Sequence, residues 1–455
     1  MQEIRCVDRP VSDRCTVPPV TPDNTVSLGR RLWTMLVVLG FVGQLAWTVE
    51  NMYLNVFVYD TISGNPDVIA AMVAASAVAA TVATLTIGAL SDRMGRRRAF
   101  IAGGYVVWGL STAAFGLVSV DTVAEVAPFA DAVVVAAVTV VALDCVMSFL
   151  GSGANDAAFQ AWVTDVTRTE NRGRVESVLA VMPLMSMLVV FGGFDWMTRD
   201  GQWSLFFLVI GLIIAVAGVV AWVFVRDRPV HDTGRPAGGY LTALVHGLRP
   251  SAVRANPGLY LALSAWCVWG ISTQVFLPYL IIYLERYLKI TGYALVLAVV
   301  LTGASAVTVL AGRIIDRVGK VRFLAPAIAV YAAGLLLMPL ARGMVPVIGA
   351  GLVLMSGFML VLAPVGALVR DYTPPGRAGH VQGLRMVFAI LVPMIVGPWL
   401  GAAVIKGADE RYEELGVVKH VPTPAIFLAA VAVLVLIVPP VLALRRRDAR
   451  TKEAV

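Results

Sequence analysis

Twelve stretches of about twenty or more mainly apolar residues follow one another along this chain, near residues 32–58, 68–90, 99–119, 132–160, 175–194, 203–225, 257–284, 291–315, 322–341, 344–369, 381–405 and 424–444. At 1.5 Å per residue, each is long enough to cross a hydrocarbon layer of about 30 Å as a helix. Hydrocarbon offers no partner for a bare backbone N–H or C=O, so repeated apolar stretches of this length predict helices and not strands with free edges. Composition points the same way: 58% hydrophobic and only 14% charged residues leave too little polar surface to cover a soluble core. The expected fold is an all-α membrane protein with twelve transmembrane helices.

Basic residues set the expected orientation. With both termini in the cytoplasm, only Arg199, Arg286, Lys289, Arg342, Lys406, Arg411 and Lys419 of the 36 Lys and Arg fall outside. An odd number of helices would put basic loops on opposite sides in the two parts of the chain, so this bias supports twelve. It also accounts for the net charge of +7 without nucleic acid. The first apolar stretch, after Arg30 and Arg31, is too long for a signal-peptide core and should remain as helix 1 of a multi-pass protein of the cell membrane.

The chain divides into a proline-bearing polar tail over 1–28, a six-helix bundle over 29–225, a cytoplasmic linker over 226–256, a second six-helix bundle over 257–445, and a tail over 446–455. Within the linker, residues 240–248 suit a short amphipathic helix on the membrane surface. Cys6 and Cys15 in the first tail lack a CxxC spacing or a histidine partner, so they should be reduced thiols. The acidic loop with Asp409, Glu410, Glu413 and Glu414 is expected to be a solvated connection.

Two internal echoes make the bundles pseudo-symmetric. Gly88-Ala-Leu-Ser-Asp92-Arg93-Met-Gly95-Arg96-Arg97-Arg98 returns 224 positions later as Gly312-Arg313-Ile-Ile-Asp316-Arg317-Val-Gly319-Lys320, each between two apolar stretches. Asp165-Val-Thr167 followed by Arg172 and Arg174 is echoed by Asp371-Tyr-Thr373 followed by Arg377 and His380, at the inner ends of helices 4 and 10.

The first of these motifs resembles the loop 2–3 signature of the major facilitator superfamily of secondary transporters, and its partial copy between helices 8 and 9 strengthens the likeness, which covers the chain from helix 1 to helix 12. The resemblance implies alternating access, with helices 1, 4, 7 and 10 lining a central cavity. It also implies a gate at the inner end, made by Gly88, Asp92, Arg93, Gly95 and Arg96 in one half and Gly312, Asp316, Arg317 and Gly319 in the other. Asp92 would meet helix 11 near His380 and Arg385 when that gate is shut, and Asp316 would meet helix 5 near Arg174. An Asp at a helix start is favoured by the unpaired N–H groups there; fixing topology is the simpler role open to these charges.

A charge inside the membrane costs roughly 3 kcal/mol or more and is seldom kept without a job. Asp144 is the clearest, about 18 Å along helix 4 and near the midplane. With Ser148, Gly151 and Asn155 it forms one polar stripe, and helix 1 repeats the spacing with Gln44, Thr48, Asn51 and Asn55. These stripes suit a solute path; hydrogen bonding between helices is the other use for their uncharged members. Glu50 lies about 120° around helix 1 from Gln44 on a regular wheel, so it may equally face a neighbouring helix. A midplane carboxylate can carry a proton near neutral pH, or stay ionised beside a cation, which makes Asp144, with Glu50, the candidate pair for coupling to a proton or sodium gradient. The second half has Gln274 where Glu50 would map.

Helix 7 adds Trp266, Trp269 and Thr273, with Gln274 nearby, too deep for an interfacial belt. Such indoles stack on a sugar face or a flat drug, or simply pack between helices. Gly95 to Gly104, and Leu143-Asp144, resemble segments of glycoside/cation and sucrose/proton symporters. The helix 4 arginine of proton-driven drug exporters is replaced by Met147. HExxH, GxSxG and P-loop patterns are absent, which argues against an enzyme or a nucleotide-driven pump. The expectation is a monomeric carrier, without cofactor or metal, for uptake of a small polar solute such as a sugar; efflux of amphipathic compounds is the alternative.

Overall fold

A computed structural model describes residues 29–453, apart from 127, 129, 130, 168, 228–248, 375–377, 409, 415 and 416. Some side chains on described backbone, among them those of Asp92, Arg174, Asp316 and His380, lie outside the description too. The expected tail over 1–28 and amphipathic segment over 240–248 are likewise outside it.

The chain runs through α1 (Arg30–Ile62), α2 (Pro66–Met94), α3 (Arg97–Leu117), α4 (Ala132–Val166), α5 (Thr169–Gly193), α6 (Trp203–Phe224), α7 (Pro257–Tyr287), α8 (Tyr293–Val318), α9 (Lys320–Leu340), α10 (Met344–Asp371), α11 (Gly383–Gly407) and α12 (Ala425–Arg450). Eleven are long and apolar enough to cross a membrane; α5 contributes a shorter apolar stretch, Val178–Gly193, which brings the number to the twelve expected. The helix ends follow local chemistry. Asn65 accepts the Asp67 amide at 3.0 Å while Pro66 supplies a preset first turn, and Asp131 accepts the Val133 amide at 3.0 Å to open α4. The glycines of the repeated motif have a backbone reason. Gly95 after α2 has φ +61° and Gly319 after α8 has φ +88°, a region closed to most side chains.

Helices α1–α6 pack on one another, as do α7–α12, and the two sets meet mainly through α2 with α11 and α5 with α8. Adding six to α2 and α11 turns the first contact into the second, so the pseudo-two-fold relation inferred from the sequence echo is present in the packing. Inside the halves, glycines let backbones touch. A Cβ at Gly211 of α6 would lie 2.5 Å from the Gly109 carbonyl of α3, and one at Gly357 of α10 would run into the backbone of Tyr331 in α9.

One element departs from the helical plan. The loop expected to be a solvated connection contains the antiparallel hairpin β1 (Arg411–Glu414) and β2 (Val417–His420). The hairpin is anchored to the other half: His420 N–H donates to the Gly64 carbonyl at 3.2 Å and accepts Tyr59 O–H on its own carbonyl at 2.9 Å, and Lys419 Nζ donates to the Asp60 carbonyl at 3.0 Å. Hydrogen-bonding the backbone to a partner explains why an acid-rich stretch is ordered at all.

Candidate functional site

Two helices carry the polar stripes, and both are wound irregularly where the stripes lie. α1 contains π-helical turns at Val49–Tyr53 and Val58–Ile62, and α4 contains one at Ser152–Phe159. A π-turn inserts an extra residue and rotates everything after it, so a regular wheel drawn from Gln44 misplaces Glu50. Glu50 Oε1 accepts Ser148 Oγ of α4 at 2.6 Å, and Glu50 and Asp144 are 8% and 1% exposed.

Between the halves, near the middle of the bundle, Glu50, Asn51, Asn55, Ser76 and Asp144 from one side and Gln274, Leu277, Pro278 and Met394 from the other enclose a cavity of about 20 Å³, room for about one water-sized body. Three buried oxygens have no hydrogen-bond partner among the described residues: Glu50 Oε2, Asp144 Oδ1 and Asn55 Oδ1. All three residues line this cavity. A cluster of acceptors short of donors suits a proton or a small cation.

The other expected residues divide between cavity and packing. Asn51 and Gln274 reach the cavity. Thr48 instead meets Ser186 of α5 at 3.0 Å, Asn155 accepts Tyr105 O–H of α3 at 2.9 Å and donates to Asp156 at 3.1 Å, and Gln44 is half-buried outside the cavity lining. On α7, Thr273 bonds Tyr331 of α9 at 2.9 Å, and the Trp269 ring lies 4.7 Å from that of Phe358. Hydrogen bonding between helices, the simpler use for these polar groups, is what Thr48, Asn155 and Thr273 do in this conformation. Trp266 sits under Arg385 of α11, whose Cζ is 5.6 Å from the ring centre.

The two ends of the bundle differ. At the basic end, which carries both described chain ends, each half is tied within itself: Arg97 donates to Ser91 Oγ at 2.6 Å and to Asp165 at 3.2 Å, and Lys320 meets Asp371 at 2.5 Å. Gly88 packs against Ala157 of α4, while Arg93, Arg96 and Arg317 are exposed. Because the side chains of Asp92, Arg174, Asp316 and His380 lie outside the description, the contacts expected of them at this end do too. At the far end, the halves are tied to each other. Asp60 pairs with Arg286 and Asp67 with Lys406, both at 2.6 Å, Tyr279 O–H donates to the Pro66 carbonyl at 3.2 Å, and Tyr293 O–H donates to Asp195 at 2.7 Å. The sequence analysis did not single out these groups. Their signal was the sign of the charges at the ends of the apolar stretches: Asp60, Asp67 and Asp195 in the first half, Arg286, Lys406 and Lys419 in the second.

A model of the family described as the Major Facilitator Superfamily matches residues 36–304 and 270–455. The chain belongs to the Major Facilitator Superfamily. No curated protein sequence matches it. Among solved structures, a mutant of the nucleoside transporter NupG is similar over 90% of this chain and 99% of its own, with a TM-score of 0.69 at 12% identity. A bacterial homologue of the human lysosomal transporter Spinster, in an inward-facing and unoccupied conformation, is similar over 92% of this chain and 98% of its own, with a TM-score of 0.64 at 15% identity. At such identities the likeness establishes the facilitator fold, and with the family match it makes the chain a membrane transporter of small molecules.

Proposed function

We propose that this facilitator is a proton- or cation-coupled carrier that takes up a small polar solute, with Asp144 and Glu50 as the coupling pair. The observation that carries this is the grouping of three partnerless acceptor oxygens, two of them from carboxylates, around one small cavity between the halves. Loading that site with a proton or a cation removes the cost of holding charge in an apolar interior. A charge-neutral, loaded site is then free to move between the two sides, which links the ion gradient to the swing of the halves.

The basic end is assigned to the cytoplasm by the distribution of Lys and Arg, with the protein in the cell membrane and both termini inside. With the far end tied shut across the halves, the structure then corresponds to the state closed to the outside. No hydrolytic or redox step is needed for this cycle, so the protein acts as a carrier and not as an enzyme.

The test is transport by the full chain in proteoliposomes, using labelled mono- and disaccharides and, given the name of the structural neighbours, nucleosides. Each is assayed with and without an imposed proton or sodium gradient, in the wild type and in Asp144→Asn. The expected result is accumulation of one solute against its gradient, reduced at least about tenfold in the variant, with exchange of the solute across the membrane retained. Undiminished accumulation by Asp144→Asn would remove Asp144 from coupling.

A further inference from the structure

The α7–α11 seam carries a second polar feature that the coupling site does not use. Arg385 lies in the first turn of the apolar part of α11, and its guanidinium is stacked over the Trp266 indole of α7, 5.6 Å from the ring centre. Trp266 is held from below by α10, where a Cβ at Gly366 would lie 3.6 Å from the indole Cη2. The site therefore draws on three helices of the second half, and both Arg385 and Trp266 remain half-buried, so the edge of the guanidinium opposite the ring is accessible.

Its position ties it to the cavity. Going up the same seam, Gly270 faces Pro393 and Gln274 faces Gly397, and Gln274 is a cavity residue. Eight residues separate Trp266 from Gln274, about 12 Å along α7 toward the basic end. A solute a little longer than a hexose can lie between them.

The charge here is uncompensated. No carboxylate of a described residue pairs with Arg385, and its electrostatic neighbour is another cation, Arg370 of α10. An arginine near a helix end can also snorkel to lipid phosphates. Arg385 does the opposite: it lies inward across an aromatic face, beside a like charge. A ring under one face of a guanidinium fixes its plane and leaves the N–H edge free to hold two oxygens at once.

We infer that Arg385, placed by Trp266, is a binding group for an oxyanion on the transported solute. The substrate class is then an acidic polar solute, such as a sugar acid or sugar phosphate, and not a neutral sugar. This rests on the carrier function proposed above, and it assigns the two halves different parts: the first carries the coupling ion, and the second holds the solute's anion.

The experiment is equilibrium binding of labelled glucose, glucuronate and glucose 6-phosphate to the full chain in nanodiscs, for the wild type, Arg385→Gln, Arg385→Lys and Trp266→Phe. Binding needs no gradient, so it reads this site whether or not coupling by Asp144 holds, and Asp144→Asn is carried as a variant that should leave the preference unchanged. The expected result is that at least one acid binds ten or more times tighter than glucose, that Arg385→Gln removes the preference, and that Arg385→Lys and Trp266→Phe keep part of it. Glucuronate against glucose 6-phosphate tells a carboxylate site from a phosphate site. Equal affinity for glucose and both acids, binding of none of the three, or a preference untouched by Arg385→Gln would each overturn the assignment and leave Arg385 as a topology charge.

Discussion

At the shared cavity the two halves present the same position with different chemistry. Glu50 of α1 and Gln274 of α7 are 224 residues apart, the offset of the repeated motif, and both line the cavity. Only the glutamate has a hydroxyl donor on a neighbouring helix, Ser148, and a second carboxylate, Asp144, beside it. A duplicated frame therefore holds one titratable wall and one neutral amide wall. Duplication supplies the geometry of alternating access, and divergence at a few buried positions supplies the coupling, which needs just one site to bind the ion.

The halves also differ in how they are packed, and that difference is the one with the largest expected effect. In the first half α3 and α6 meet through Gly109 and Gly211, backbone against backbone. The positions 224 residues later are Ala333 and Val435, both exposed to the surroundings of the bundle, and the tight glycine contact has moved to α9 and α10 through Gly334 and Gly357. Gly211→Val should therefore cost about 2–3 kcal/mol or prevent folding, because the added methyls meet backbone that cannot swing aside. Gly103→Ala, where a Cβ meets nothing within 4 Å, should stay within about 0.5 kcal/mol. Thermal unfolding of the purified variants in detergent checks both, and a tolerant Gly211→Val would mean that the helix pair can separate without loss.

A sharper test exchanges the cavity chemistry between the halves. Glu50→Gln makes the two walls equivalent and should lower gradient-driven accumulation about tenfold, or about 1.4 kcal/mol of coupling. Moving the carboxylate across, with Glu50→Gln and Gln274→Glu together, should fail to restore it, since the new carboxylate has neither the Ser148 donor nor Asp144 on its own side. Recovery in the double variant would show that any carboxylate in the cavity serves, and that the surroundings built by α1 and α4 are dispensable. Accumulation ratios in proteoliposomes, taken with the same gradient for all three proteins, decide between these.

Most of the fold was legible in the sequence, because a helix that crosses hydrocarbon must be long and apolar and because basic loops mark one side. Much of the candidate site was legible too: Asp144 and Asn55 lie where a regular wheel and a depth count put them. What a regular wheel cannot carry is a π-turn, which depends on packing rather than on a residue pattern, and it hid the orientation of Glu50. The fate of Thr48, Asn155 and Thr273 was equally hidden, since a polar side chain at a given depth serves a cavity or a neighbouring helix according to which helix lies opposite. The hairpin over Arg411–His420 was missed because its order comes from partners more than 350 residues away, Tyr59 and Asp60.

The smallest expected effect concerns the far end, where the halves carry opposite charges. Asp60 and Asp67 belong to the first half, Arg286 and Lys406 to the second, so opening that end must break both ion pairs, whereas Arg97–Asp165 and Lys320–Asp371 join residues of the same half and survive either state. The far-end pairs are partly exposed, with side chains 20–42% accessible, and pairs of this kind are worth about 0.5 kcal/mol. A double-mutant cycle of Asp60→Ala and Arg286→Ala should therefore give a coupling energy near that value and about a twofold rise in the population open at the far end. The labelling rate of a single cysteine introduced on the cavity side of that end reads the population directly. Raised salt should shrink the coupling, because partly exposed charges are screened. The matching cycle of Lys320→Ala and Asp371→Ala should leave the labelling rate unchanged, since that pair does not cross between the halves; a rate that moved as much for Lys320 and Asp371 as for Asp60 and Arg286 would mean that each half bends as it rocks, and that the halves are not the rigid bodies their packing describes.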